Sequence, residues 1–241
     1  MLTAIHQPHF IPWLGYLHRM AQVDAFIVLD HVQFERRNYQ NRSQIRIDNE
    51  ARWLTVPVVQ RSQKERIIDK EIENRDAGRA WGPNHFATLR HAYREAGFFS
   101  TYASELRKLL EARWQRLVDL DLAMMELLRE AFGIRTPLLR SSQLGVEGAK
   151  GELILNLCKA VGARTLLVGF GGSRGYLDPE HFAREGAEIR WHQFTHPTYK
   201  QCGPAPFIPG LAAVDLLFNA GPASRAILMG EAATHGASAA A

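Results

Sequence analysis

The chain has 241 residues, 46% hydrophobic and 22% charged, which is enough to bury a sizeable core and rules out a disordered or fibrous composition. A formal net charge of +4 favours phosphate-bearing ligands without requiring a nucleic-acid partner. Two cysteines, Cys158 and Cys202, exclude a disulfide scaffold and a four-cysteine zinc site, and they suit a reduced cytoplasm as unpaired thiols.

The opening MLTAIHQPHFIPWLGY lacks the basic and apolar regions of a secretory leader. No window reaches the roughly 18 uncharged apolar residues of a spanning helix, so membrane insertion is not expected. Leu2 to His6 reads as a strand, followed by a loop through Pro8, Pro12 and Gly15. Leu14 to Val23 reads as a short helix with Leu14, Leu17, His18 and Ala21 on one face. Ala25 to Leu29 is a buried-type strand, and Trp53 to Val59 is another, with Pro57 marking an edge or an end.

Helical periodicity takes over from about residue 79 to 132, with breaks near Gly97 and Ser100. Leu106, Leu110, Leu117, Val118, Met124 and Leu128 recur at threes and fours, the spacing of a core stripe. An α/β rhythm then returns. Strands are expected over Thr136–Leu139, Thr165–Val168 and Glu188–Phe194, and helices over Glu152–Val161, Pro179–Glu185 and Leu211–Asn219. The sum is one α/β domain over residues 1–231, with a mostly parallel sheet, helices on its faces and a helical insertion, followed by a flexible tail from Ala232 to Ala241.

Five segments could carry chemistry. The first loop gathers His6, Gln7, His9, Trp13, Tyr16 and His18 after a strand and before a helix, where α/β proteins bind ligands and helix N–H groups favour anions. Its histidines are candidate acid/base groups near neutral pH, and their spacing matches no familiar zinc site, so no metal is expected. The second segment, LDHVQFERRNYQNRSQIR, sets Asp30, Gln33, Arg37, Asn41, Arg42 and Arg46 after a buried strand; guanidinium groups there suit carboxylates or phosphates, or form a solvated face. The third places Ser141, Ser142, Gly145, Gly148 and Lys150 in either a phosphate cradle or a capped turn. The fourth has Gly169, Gly171 and Gly172 after an apolar strand, with Ser173, Arg174 and Tyr176 free to touch a substrate and Asp178 before Pro179 as a helix cap. The fifth is THPTYKQ, with His196 and Tyr199; beyond it, Asp215 in an apolar helix requires a partner, expected to be an arginine. The first loop, the Arg37, Asn41 and Arg42 segment and the Gly169–Asp178 turn are expected to line one pocket. Walker-A and G-x-S-x-G spacings are absent.

Taken in order, HQPHFIPWLGY, LDHVQFERRNYQNRSQIR, WLTVPV, RSSQLGV, GFGGSRGYLD, HPTYKQ and FIPGLAAVDLLFNAG resemble the WbqC-like family over nearly the whole chain. The chain departs from the family at His9, where Asn is common, and at Gly210, Leu211 and Ala212, where Asn-Leu-Ser is common. The resemblance implies biosynthetic chemistry on polysaccharide or natural-product intermediates and the transfer of glycine or another acyl group. The arrangement at the first loop is also similar to the nucleotidylyltransferase superfamily, which implies ATP with Mg as cofactor and the Ser141–Lys150 turn over a triphosphate. An anionic small molecule or activated acyl donor is the expected partner, with aminoacyl-tRNA left open as a donor. Sugar-nucleotide processing, glycosyl transfer and non-catalytic ligand binding are the alternative functions.

Overall fold

A computed structural model describes residues 1–74, 80–171, 175–204 and 206–231. Five strands form one parallel sheet: β1 (Leu2–His6), β2 (Ala25–Val28), β5 (Leu138–Arg140), β6 (Thr165–Val168) and β7 (Glu188–Trp191). Their spatial order is β5-β2-β1-β6-β7. β1 pairs with β2 through His6 opposite Val28, and with β6 through Thr3 opposite Leu166. The chain therefore builds outward from β1 in one direction and then returns to build outward in the other. That reversal opens a crevice at the carboxyl ends of β1 and β6.

Side chains of a strand alternate between faces, and both faces here are apolar, as expected of a parallel sheet covered on each side. Ala4, Phe26, Val28 and Leu167 join the core beneath α1 (Leu14–Ala21) and α4 (Leu117–Ala131). Ile27, Leu29, Leu166 and Val168 join a second core with α5 (Lys150–Ala160) and α6 (Pro179–Arg184). Between β2 and β5 lie β3 (Arg42–Ile47), β4 (Glu50–Thr55), α2 (Trp81–Ala92) and α3 (Phe99–Glu111), together with α4. The chain closes with α7 (Val214–Ala220) and α8 (Ser224–Met229).

Four expectations require correction. The arginine segment contains a strand that its apolar content does not announce: β3 pairs antiparallel with β4, Ile47 opposite Glu50. Asp48 and Asn49, at φ 49° and 65°, supply the two-residue turn, a conformation that short polar side chains tolerate. The strand expected to run to Val59 ends at Thr55, ahead of Pro57. β7 stops at Trp191, where its partner β6 stops at Val168, and the last long helix begins at Val214 rather than Leu211. Apart from these four, the helical block breaks before Phe99, close to the expected break at Gly97, and breaks again between Glu111 and Leu117.

Candidate functional site

A cavity of about 660 Å³ opens at the β1/β6 crevice. His6, Gln7, His9 and Trp13 from the first loop, Gly169, Gly171 and Tyr176 from the turn after β6, and Arg19 from α1 face it. Glu35, Asn38 and Tyr39 reach it from the second segment, and His192 and Phe194 from the chain leaving β7.

Arg19 dominates the electrostatics. It is 6% exposed, its Nε is sealed without a partner, and no carboxylate pairs with it among the described residues. A buried guanidinium without a counter-ion carries a large desolvation cost, and burial lowers its proton affinity. Gly169 explains how the group fits: a Cβ there would stand 2.7 Å from Arg19 Nη1, so the strand end must be glycine for the guanidinium to lie against it.

The imidazoles around Arg19 stay neutral. Burial, reinforced by Arg19, holds His6 down at about 3 and His192 at about 4, and pushes His9 well below the ordinary value. His6 Nδ1 lies 2.9 Å from the Gln7 carbonyl, which can only accept, so Nδ1 carries the proton and Nε2 keeps a lone pair. His9 leaves Nδ1 unpartnered and stacks against Tyr39 at 5.2 Å. His18 does not line the cavity; its Nδ1 meets His192 Nε2 at 2.8 Å and sets that ring from behind. Among the described residues, the pocket thus holds one fixed positive charge amid neutral hydrogen-bonding rings. At its mouth the Glu35 carboxylate accepts from Asn38 Nδ2 at 2.7 Å.

The remaining expected site residues lie elsewhere. Tyr16 is fully buried behind His6 and His9, its hydroxyl donating to the Gln7 carbonyl. Asp30 is saturated: it accepts from Arg140 Nε, Ser141 Oγ, Ser142 N and Ser142 Oγ at 2.8–3.0 Å. Burial pushes its carboxyl up, but these donors outweigh it and hold the group below its ordinary range. Gln33 donates to the Gln63 carbonyl at the surface. Lys150 stands exposed at the start of α5, and Asp178 caps α6 by accepting from Glu180 N and His181 N. His196 donates Nδ1 to the Pro197 carbonyl, while Tyr199 donates to Asp215 at 2.7 Å. Gly172, Ser173, Arg174 and the tail Ala232–Ala241 lie outside the described residues.

Two groupings differ from expectation, whereas the unpaired thiols do not. Arg37, Asn41 and Arg42 line a separate hollow rather than the common pocket, because the loop carrying them sends Glu35, Asn38 and Tyr39 to one side and the arginines to the other. Asp215 is held by Tyr199 and Gln201 rather than directly by an arginine, and Arg46 acts one step removed, through Gln201 Oε1 at 2.9 Å. Arg46 is therefore buried structure and not a ligand group. Both thiols are free, and burial pushes that of Cys158 up to about 12.

The residues missed from the sequence are Arg19, His192, Glu35, Asn38 and Tyr39. For Arg19 a signal was present, an arginine four residues after Gly15 on a helix opening from the ligand loop. The periodicity of Leu14, Leu17, His18 and Ala21 orients the helix but does not show that Arg19 is buried against the strand end.

Fold and site define an α/β protein with a doubly wound parallel sheet and a pocket lined by a buried arginine at its switch point. The chain belongs to the WbqC-like protein family, whose model matches residues 7–227. It is also 31% identical over 221 residues to the uncharacterized protein Rv1507c of Mycobacterium tuberculosis (strain ATCC 25618 / H37Rv), covering 91% of this chain and 94% of the relative. No solved structure matches. No helix among the described residues is long and apolar enough to cross a membrane.

Proposed function

We propose that the protein is a cytoplasmic biosynthetic enzyme that forms an amide, or transfers an acyl or aminoacyl group, onto an amine-bearing sugar or natural-product intermediate. The observation that carries this reading is the buried, unpaired Arg19 guanidinium in the switch-point cavity. A phosphate or carboxylate on the activated donor supplies the missing counter-charge, and the charge-assisted bond strengthens in a site closed to water. Glu35 at the mouth suits the ammonium form of an acceptor amine, so the two substrates are oriented by opposite charges at opposite ends. His6 Nε2, unprotonated, accepts a hydrogen bond from the attacking amine. The amine nitrogen attacks the acyl carbon, the bond to the anionic leaving group breaks, and the amine proton passes to Glu35 or water.

The pocket fits the anionic part of a nucleotide at Arg19. ATP with Mg, when bound, supplies activation of the acyl group. The Ser141 and Ser142 hydroxyls are held by Asp30, so this reading places the phosphate at Arg19 and not at that turn.

The test is pyrophosphate release from ATP in the presence of glycine and an amino sugar, with wild type and Arg19→Met. Release that depends on both co-substrates and disappears in the folded variant supports the proposal. Binding of a UDP- or dTDP-sugar with no response to ATP or acyl donors replaces it with glycosyl transfer.

A further inference from the structure

We infer that the hollow on the far side of the Glu35–Arg42 loop is a second anion site, built to take a phosphate or diphosphate group. It has a volume of about 330 Å³ and is lined by Arg36, Arg37 and Arg42 with Phe34, Asn41 and Gln60 among their neighbours, and no acidic side chain lines it.

Several arginines elsewhere pair with carboxylates: Arg66 with Asp69, Arg107 with Glu111, Arg129 with Glu126 and Arg140 with Asp30. The three here have no carboxylate partner among the described residues. Arg36 donates to Gln60 Oε1 at 2.7 Å, a neutral partner that orients the guanidinium without cancelling its charge. Arg42 lies flat on Trp53, 3.9 Å from the ring centroid, and donates Nη2 to the Arg37 carbonyl. Its Nε is sealed from solvent with nothing to donate to. Three guanidinium groups line one hollow, and guanidinium groups meet phosphate oxygens in pairs.

The backbone adds an independent sign. Arg37 sits at φ 61°, a conformation that glycine adopts freely and an arginine does not. Strain retained at an exposed position points to a use for that side chain. Trp53, 41% exposed beside Arg42, offers a ring on which a base could stack.

The loop between this hollow and the first cavity is shared, since Asn38 and Tyr39 face one and Arg37 and Arg42 the other. A donor with a phosphate-bearing end remote from its acyl group would span both sides; that extension alone rests on the function proposed above.

The test is calorimetric titration with inorganic pyrophosphate and with ADP at low salt. Wild type is expected to take two equivalents of pyrophosphate. The double variant Arg36→Gln/Arg42→Gln should lose one and keep the other, whereas Arg19→Met should do the reverse. Arg37→Gly relieves the backbone strain and should weaken the second site about tenfold without lowering the melting temperature. ADP tighter than pyrophosphate at this site assigns it to a nucleotide-borne diphosphate; equal affinities assign it to the diphosphate alone. A single equivalent abolished by Arg19→Met and untouched by Arg36→Gln/Arg42→Gln overturns the inference, as does a second equivalent that survives that double variant. Should only the equivalent dependent on Arg36 and Arg42 appear, the second site stands and the Arg19 premise of the proposed function falls.

Discussion

Two clusters of polar side chains stand at the carboxyl edge of the same sheet, two strands apart, and they are resolved in opposite ways. At the ends of β2 and β5, Asp30 takes four hydrogen bonds from Arg140, Ser141 and Ser142, and His31 Nδ1 lies 2.6 Å from the Ser141 hydroxyl. Every charge there has its opposite. At the ends of β1 and β6, among the described residues, Arg19 has no counter-ion, His9 Nδ1 has no partner and His6 Nε2 is left with a lone pair. Burial of polar groups is costly unless they are matched, so the matched cluster stabilises the fold, while the unmatched one carries an uncompensated cost that the proposed function assigns to ligand binding.

The largest way to break that comparison is Asp30→Ala. Removing one member of a buried pair leaves Arg140 and two serine hydroxyls unmatched, at about 3–5 kcal/mol, or roughly 10 °C in Tm. A scanning calorimetry trace unchanged from wild type would erase the distinction drawn here. Arg19→Met is the mirror experiment. Pyrophosphate affinity at its site should fall at least tenfold, about 1.5–3 kcal/mol, while Tm holds or rises because an unpaired buried charge is gone.

Asp121 sharpens the comparison on the stability side. It is fully buried in α4, both carboxyl oxygens lack partners, and burial pushes its carboxyl well above the usual range. The folded chain therefore keeps a proton that the unfolded chain releases above about 3.8, so this group lowers stability as pH rises. Asp121→Asn should raise Tm at pH 7, and the gain should shrink as pH falls toward 4, where the unfolded chain also holds the proton. Urea titrations at pH 4, 5.5 and 7 measure it. The smallest expected effect is a near absence of one. With His6 at about 3 and His192 at about 4, affinity for sulfate, an anion that does not itself titrate in this range, should be flat from pH 6 to 8 and tighten only toward pH 4. A transition centred near 6.5 would mean that a pocket histidine titrates normally.

Much of this architecture can be read along the chain. The apolar runs of β1, β2 and β6, the core stripe from Leu106 to Leu128 and the cap at Asp178 are local signals, and the structure places each where they point. The family, too, is legible in ordered motifs. The site was half legible: His6, His9, Trp13, Gly169 and Tyr176 follow from the rule that ligands gather beyond strand ends. The β3 strand was hidden because its exposed positions are arginine and glutamine, and only its pairing with β4 makes it a strand.

What the amino-acid sequence determined alone is therefore periodicity, capping and the set of polar residues beyond the strands, all of which act within a few positions of one another. Which of those polar residues satisfy each other was decided only by tertiary structure. Ser141 reaches Asp30 across 111 positions, His192 reaches His18 across 174, and Arg19 reaches no carboxylate among the described residues. A side chain's role turns on whether its charge is matched in space, and sequence distance carries no information about that match.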